Sequence, residues 1–271
     1  MHPFVSFNQK IQSSDKTNLH AVSAAAFYGR GVFTTLAIYR RKPFLWEKHW
    51  RRLIENASRI RLDLSEFSEE KIKAALADVI NRNNAENARA RITFFDESTS
   101  GIWSFETNRR TSVLITTADL RETKDLRLTV SPYRINSKSP LANIKSCNYL
   151  ENVLALEEAK ARDFDEAVRL NERGEVASAC MANLFWIKSG KIFTAALETG
   201  CLAGTTREFL LENSRIEEKI TTLDELIEAD EIFLTSSGIG IGKATSFNKK
   251  ILENTAARHI EKEFSHKREN L

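Results

Sequence analysis

The sequence predicts a mixed α+β protein folded as two lobes, on three observations. At 271 residues the chain exceeds one average domain, so two lobes or one large α/β unit are expected. Runs rich in β-branched and aromatic residues interleave with apolar residues at helical spacing along most of the length. The polar stretch Ala118-Asp119-Leu120-Arg121-Glu122-Thr123-Lys124 interrupts that pattern, so one lobe is expected over residues 1–120 and a larger one over 125–271.

In order along the first lobe, Val32–Tyr39 is a β-former run, closed by a turn at Arg40-Arg41-Lys42-Pro43. Phe44-Leu45-Trp46 resumes the apolar pattern, and from His49 to Ile60 Leu53, Ile54, Ala57 and Ile60 recur at helical spacing. Ser68–Ile80 repeats that spacing through Ile72, Ala75, Leu76 and Val79; Lys71 replaces the acidic partner of a full capping box. Strands Ala90–Phe95 and Ser112–Thr117 follow, around a loop at Asp96–Gly101. The second lobe opens with strand Arg127–Val130 and a helix over Asn148–Arg162, whose apolar side is Leu150, Val153, Leu154 and Leu156. Strands are expected at Glu166–Asn171, Asn183–Ser189 and Lys191–Thr194, the last two joined by a tight turn at Gly190. A helix spans Arg207–Asn213, another starts at Thr222, and Glu231–Thr235 is a strand running into Ser236-Ser237-Gly238. The charged, periodic tail Asn254–Leu271 reads as a solvated terminal helix.

Composition excludes several classes. A net charge of +3 with interspersed acids and bases is no nucleic-acid footprint, and no apolar run approaches the roughly 18 residues of a bilayer span. The start Met1-His2-Pro3-Phe4-Val5 lacks the order of a signal peptide. Cys147, Cys180 and Cys201 form no CxxC and the five histidines no HExxH. Neither a disulfide framework nor a metal site is indicated, and a reducing cytoplasm is expected.

The chemistry is concentrated in Lys145-Ser146-Cys147-Asn148-Tyr149-Leu150 and Gly204-Thr205-Thr206-Arg207. Lysine and tyrosine at i and i+4 would present an amine and a phenol side by side on a helical turn. Gly-Thr-Thr at a helix start offers backbone N–H groups and two hydroxyls to a phosphate. An amine able to form a Schiff base, a phenol and a phosphate cradle together point to pyridoxal phosphate.

These segments, in order, resemble the class IV (fold type IV) pyridoxal-phosphate enzymes: branched-chain aminotransferases, D-amino-acid aminotransferases and 4-amino-4-deoxychorismate lyases. The resemblance runs from about Phe27 to Ile241. Its anchors are Tyr28-Gly29-Arg30-Gly31-Val32-Phe33, His49-Trp50-Arg51-Arg52-Leu53, Lys145–Leu150, Asn183-Leu184-Phe185, Leu202–Arg207 and Ala229–Thr235. It implies a small α+β lobe, a larger barrel-like α+β lobe, the cofactor between them, a homodimer and a small-molecule substrate. Carried residue by residue, Lys145 is similar to the Schiff-base lysine and Tyr149 to the tyrosine on the cofactor's phenolic oxygen. Arg52 resembles the phosphate-binding arginine, a role that suits a planar fork of fixed charge. Thr205 and Thr206 match the phosphate cup, and Ser237 stands where the family often has a third hydroxyl or small residue.

The departures are specific. Gly174-Glu175-Val176-Ala177-Ser178 puts Ser178 where the family has a glutamate for the pyridine nitrogen, and strand phase turns Glu175 away. A neutral hydroxyl leaves the ring a weaker electron sink, which bears against efficient transamination. Arg30 replaces a common acidic residue and Ala195 a usual proline. Phe33-Thr34-Thr35 and Asn183–Trp186 look more like the aminodeoxychorismate lyases, with Thr34 or Thr35 assisting the leaving group and Arg91 clamping a substrate carboxylate. The first expectation is therefore a lyase releasing pyruvate from aminodeoxychorismate to leave an aromatic amine. An aminotransferase of branched-chain or other small amino acids is the second, and a cofactor-binding protein with little catalysis the third.

Overall fold

A computed structural model describes residues 1–98, 110–120 and 125–269, which divide into two compact units. The far end of the Asp96–Gly101 loop, Arg121–Lys124 of the polar break and the last two residues of the tail lie outside the described residues.

The first unit comprises Met1–Leu120 together with Lys145–Asn148. Its elements are β1 (Phe4–Phe7), β2 (Lys10–Ser13), α1 (Ala24–Tyr28), β3 (Gly31–Tyr39), β4 (Lys42–Pro43), α2 (Trp46–Arg59), α3 (Glu69–Arg82), β5 (Ala88–Asp96) and β6 (Thr111–Asp119). The strands form one antiparallel sheet in the order β2-β1-β6-β5-β3-β4. Both long helices pack on it. Leu36, Ile38, Ile92 and Phe94 from the strands meet Leu53, Ala57, Ile72, Leu76 and Val79 in a fully buried core. Each such side chain contributes about 1.5–3 kcal/mol of transfer free energy.

Helix α2 begins at Trp46 rather than His49, because Leu45 takes a left-handed conformation (φ 55°) that turns the chain into the helix. Ser68 caps α3 by accepting from the Lys71 amide at 3.4 Å. Strand β6 runs two residues beyond the expected Thr117, into the polar stretch: Ala118 and Asp119 pair with Arg89 and Ala88 of β5, and those ladder bonds outweigh local polarity.

The second unit holds Arg121–Ile144 and Tyr149–Leu271. Its elements are β7 (Leu126–Val130), α4 (Leu150–Ala161), β8 (Glu166–Leu170), β9 (Val176–Ala179), β10 (Asn183–Lys188), β11 (Lys191–Ala195), α5 (Thr205–Asn213), β12 (Ile216–Lys219), α6 (Leu223–Ile227), β13 (Glu231–Ser236), β14 (Gly240–Phe247), β15 (Lys250–Ile251) and α7 (Thr255–Glu269). The sheet order is β12-β11-β10-β13-β14-β7-β8-β9, with β15 on β14. One face carries the larger core, including Val168, Leu170, Val176, Leu184, Trp186, Ile232 and Leu234.

Helix α4 lies on the opposite face through Ala155 and Ala159 against Ala167 and Cys180. The expected apolar side was Leu150, Val153, Leu154 and Leu156, yet Leu150 and Leu154 are exposed. Alanines let the helix approach the strands closely, and that contact decides which face is buried. The tail is not simply solvated either. Ala257, Ile260 and Phe264 are buried, Phe264 meets Phe209 edge-on at 5.8 Å, and the Glu231 carboxylate caps α7 at the Ala256 and Ala257 amides.

Candidate active site

In the first unit, the segment carrying Lys145 is stitched to the start of β3. Ser146 bridges Val32, the Phe33 amide donates to the Lys145 carbonyl at 2.9 Å, and the Cys147 amide donates to the Gly31 carbonyl at 2.8 Å. Two glycines permit this approach. Gly29 sits at φ 60° with its carbonyl accepting from Asn148 Nδ2, and a Cβ on Gly31 would lie 2.6 Å from the Phe94 carbonyl oxygen. Lys145 and Tyr149 therefore do not share a helical turn: Lys145 lies outside any helix, while Tyr149 is the N-cap of α4. The bridge to Val32 holds the lysine out of the helix that i,i+4 spacing suggested.

Lys145 Nζ lies 4.6 Å from the centre of the Phe33 ring, and the Arg91 guanidinium lies 3.6 Å from it. Burial, then the charges of Arg52 and Arg91, hold the Lys145 ammonium well below the usual lysine range. A lowered pKa favours the neutral amine, the form that acts as nucleophile and base.

Arg52 comes from α2, whose inward stripe Trp46, His49, Arg52, Leu53, Asn56 and Ala57 mixes polar and apolar residues. Arg51 is exposed beside it, so helical phase separates the two arginines. Arg52 Nη2 donates to Thr34 Oγ1 at 2.8 Å, and that hydroxyl pairs with His49 Nδ1 at 2.6 Å. With Arg52 donating in, the Thr34 proton goes to His49, so the donor order is Arg52, Thr34, His49. The buried imidazole fits that order: burial, then Arg52 and Lys145, push its pKa well down. His49 was not singled out from sequence. A histidine three residues before Arg52 on the same helical face was the available signal.

Thr34 thus serves Arg52, while Thr35 stands on the other face of β3, opposite Arg91 in the ladder. Arg91 is exposed, and its Nε donates to Thr93 Oγ1 at 3.1 Å. Arg30, the departure from the acidic pattern, ion-pairs with Asp96 at 3.3 Å and donates to the Ile60 carbonyl.

In the second unit, Thr205 and Thr206 are the first two residues of α5, both buried. Gly204 is the N-cap and no side chain caps the helix, so its leading amides have no intrahelical acceptor. Asn183 Nδ2 holds the Leu202 carbonyl at 2.7 Å, and a Cβ on Gly204 would overlap Asn183 Oδ1. Thr205 Oγ1 and Ser237 Oγ are 3.1 Å apart. Thr235, paired with Asn183 in the sheet, buries a hydroxyl that has no hydrogen-bond partner among the described residues.

Ser178 is buried on β9, opposite Arg169 of β8. The register shifts here, with Leu170 facing Val176, so Ala177 is the extra residue of a bulge. Val176 and Ala179 point to the larger core. Ser178 turns with Arg169 to the face covered by α4. Glu175 is engaged elsewhere, its carboxylate accepting from Arg173 at 2.6 Å and Asn171 at 2.7 Å. Among the described residues no group of His, Cys, Asp and Glu could hold a metal ion, and no helix is long and apolar enough to cross a membrane.

The amino-transferase class IV family model matches residues 31–247. The aminodeoxychorismate lyase of Bacillus subtilis is 30% identical over 224 residues, covering 79% of this chain and 76% of that protein. A putative branched-chain-amino-acid aminotransferase of Methanocaldococcus jannaschii is 26% identical over 273 residues, covering 96% and 93%. Among solved structures, the branched-chain aminotransferase of Thermoproteus uzoniensis with norvaline has a TM-score of 0.91 at 23% identity, covering 98% of this chain and 94% of that one. A putative 4-amino-4-deoxychorismate lyase from Legionella pneumophila has 0.84 at 24%, covering 94% and 96%. At those identities the two structures speak for the fold.

Proposed function

The chain belongs to the amino-transferase class IV family, whose enzymes use pyridoxal phosphate, and on that footing we propose that it is a lyase of the aminodeoxychorismate type. It would release pyruvate and leave an aromatic amine. Two features fit the cofactor: a buried lysine whose pKa is pushed well down, and a helix start that brings leading amides and two threonine hydroxyls together. Bound there, pyridoxal phosphate supplies an electrophilic carbon and a conjugated ring that draws electrons from the substrate α-carbon.

Lys145 would hold the cofactor through its side-chain amine and would take the substrate's α-proton at Nζ. Arg52 grips phosphate with its fork, oriented by Thr34 and His49. Thr205, Thr206 and Ser237 add hydroxyls to the amides of α5. Tyr149 would donate to the phenolic oxygen, and Ser178 would face the pyridine nitrogen. The observation that carries the lyase reading is Arg91 on the Phe33 ring, an aromatic surface under a cation beside Lys145. A carboxylate-bearing ring substrate matches that surface better than an aliphatic side chain does. We also infer a homodimer in the cytoplasm; exposed Leu19, Val22, Phe27 and Tyr28 offer apolar surface to a second copy.

The test is pyruvate release from aminodeoxychorismate by the purified holoenzyme, run beside amino-group transfer from small amino acids to a keto acid. Pyruvate with negligible transfer supports the lyase. Transfer without pyruvate supports the second reading, an aminotransferase of small amino acids, favoured by the 96% of this chain that the Methanocaldococcus relative covers.

A further inference from the structure

We propose that Arg169 is a positioning residue of the cofactor site, a buried guanidinium beside Ser178 that keeps the pyridine nitrogen of bound pyridoxal phosphate unprotonated. It rests on the reading that Ser178 faces that nitrogen. Arg169 and Ser178 are direct antiparallel partners, so their side chains share one face with Cβ atoms about 4.5–5.5 Å apart. Among the described residues Arg169 is the largest fully buried side chain, on a strand buried at every residue. An arginine is seldom placed so deep unless its charge is held and used.

It is held from two sides. The Tyr133 and Arg134 carbonyls accept at 3.3 and 3.2 Å, and the first turn of α4 contributes Asn152 Oδ1 at 3.3 Å and the Glu151 carboxylate. That turn follows directly on Tyr149, and Asn152 Nδ2 also donates to the Cys180 carbonyl at 2.7 Å, pinning α4 to β9 two residues beyond Ser178. The guanidinium therefore cannot swing away without breaking contacts of both elements.

The sign of the local field follows from what faces Arg169. On its own strand, Glu166 turns its carboxylate to the Ala167, Cys180 and Met181 amides, which donate to it at 3.0–3.1 Å, and burial raises its pKa. From the segment after β7, the Arg134 guanidinium reaches the Asn171 carbonyl and adds a second cation. From α4 comes Glu151, whose side chain is 61% exposed and whose charge is therefore screened by water. The strand position paired with Ser178 thus carries a buried cation. A cation within about 4–6 Å disfavours protonation of a base by roughly 1–3 pH units, and a serine hydroxyl can donate to the bare nitrogen. The ring is then a modest electron sink. That suits a reaction in which a leaving group departs soon after α-proton loss, better than one in which charge must rest on the ring.

The test uses holoenzyme reconstituted with cofactor labelled with 15N in the ring, and reads the nitrogen chemical shift across pH. The wild-type nitrogen should be unprotonated near neutral pH. Arg169→Met should raise its apparent pKa by about one unit or more. Glu151→Gln, which leaves the guanidinium and removes its counter-charge, should lower it. If Arg169→Met does not fold, Glu151→Gln carries the test, because that side chain is mostly in water. If the wild-type nitrogen titrates below the accessible range, the comparison is made on a Ser178→Glu background. A protonated wild-type nitrogen, unchanged values, or both variants moving the same way would overturn the proposal. Ser178→Glu checks the underlying reading: if it leaves the shift unmoved while the cofactor is bound, Ser178 is not at the ring.

Discussion

Lys145, Arg52 and Arg91 in the first unit are three basic side chains that touch Phe33 or Thr34, with a neutral histidine held among them. The cofactor contacts proposed for the second unit (Tyr149, Ser178, Thr205, Thr206 and Ser237) carry no formal charge; their donors are hydroxyls and the leading amides of α5. Both kinds of group bind phosphate, by different physics. A guanidinium attracts an anion at a distance and keeps doing so at any ordinary pH, whereas helix amides and hydroxyls act only at hydrogen-bond range but fix orientation. The first unit is thus equipped to attract and to react, the second to orient.

The most severe way to break this comparison is Lys145→Ala. If the reactive amine belongs to the first unit alone, turnover should fall at least about a thousandfold, and borohydride should no longer fix cofactor to the protein. Peptide mass mapping of borohydride-treated wild type should find the label on Lys145. A label on another lysine would move the chemistry elsewhere. Next in size is Arg52→Ala. A charge-assisted hydrogen bond contributes about 1.5–3 kcal/mol, so the cofactor dissociation constant should rise tenfold or more. Arg51→Ala, one position round the helix and exposed, should leave it unchanged.

A third test separates charge from orientation inside the first unit. His49 is held neutral in the fold, its pKa pushed well below the ordinary value of 6.5. The unfolded chain binds a proton there below about 6.5 and the native state does not, so stability falls as pH drops from that value toward the folded pKa. The slope is up to about 1.4 kcal/mol per pH unit for one proton, and above 6.5 this group contributes no slope. Urea midpoints measured against pH should show that acid slope in the wild type and lose it in His49→Asn. Equal slopes would mean that His49 titrates in the fold.

How much of this was legible in the sequence follows the same division. Lys145 and the Gly-Thr-Thr start of α5 stand in short contiguous motifs whose residue types declare their chemistry, so composition and spacing sufficed to nominate them, while Arg52 was nominated by the resemblance of its motif to the family's phosphate-binding arginine. Which arginine is buried needed helical phase alone. Thr34 and His49 were harder, because their pairing crosses from a strand to the following helix. The i,i+4 pairing of Lys145 with Tyr149 misled for the opposite reason: local spacing proposed a helical turn that the bridge from Ser146 to Val32 prevents. Likewise the Leu150 and Leu154 stripe looked like a core, but alanine contact with Ala167 and Cys180 settles the face of α4. Arg169 was invisible beforehand, since nothing near it in sequence shows that a bulge at Ala177 brings Ser178 opposite it.

The smallest expected effect is in the second unit, and it sharpens the comparison most. Thr205→Val keeps the β-branched shape at the first residue of α5 and removes only the hydroxyl that lies 3.1 Å from Ser237 Oγ. A neutral hydrogen bond contributes about 0.5–1.5 kcal/mol, so cofactor affinity should fall roughly two- to tenfold, well short of the loss from Arg52→Ala. Ser237→Ala should cost a similar factor. Since the two hydroxyls are partners, the double variant should fall short of the product of the single effects, because removing either one already breaks their shared bond. The backbone amides remain in all three variants, and the N-terminus of α5 continues to favour an anion. Cofactor titrations of the four proteins decide the matter. If Thr205→Val alone weakens binding as much as Arg52→Ala, the second unit does more than orient, and its hydroxyls rather than the first unit's arginine dominate phosphate binding.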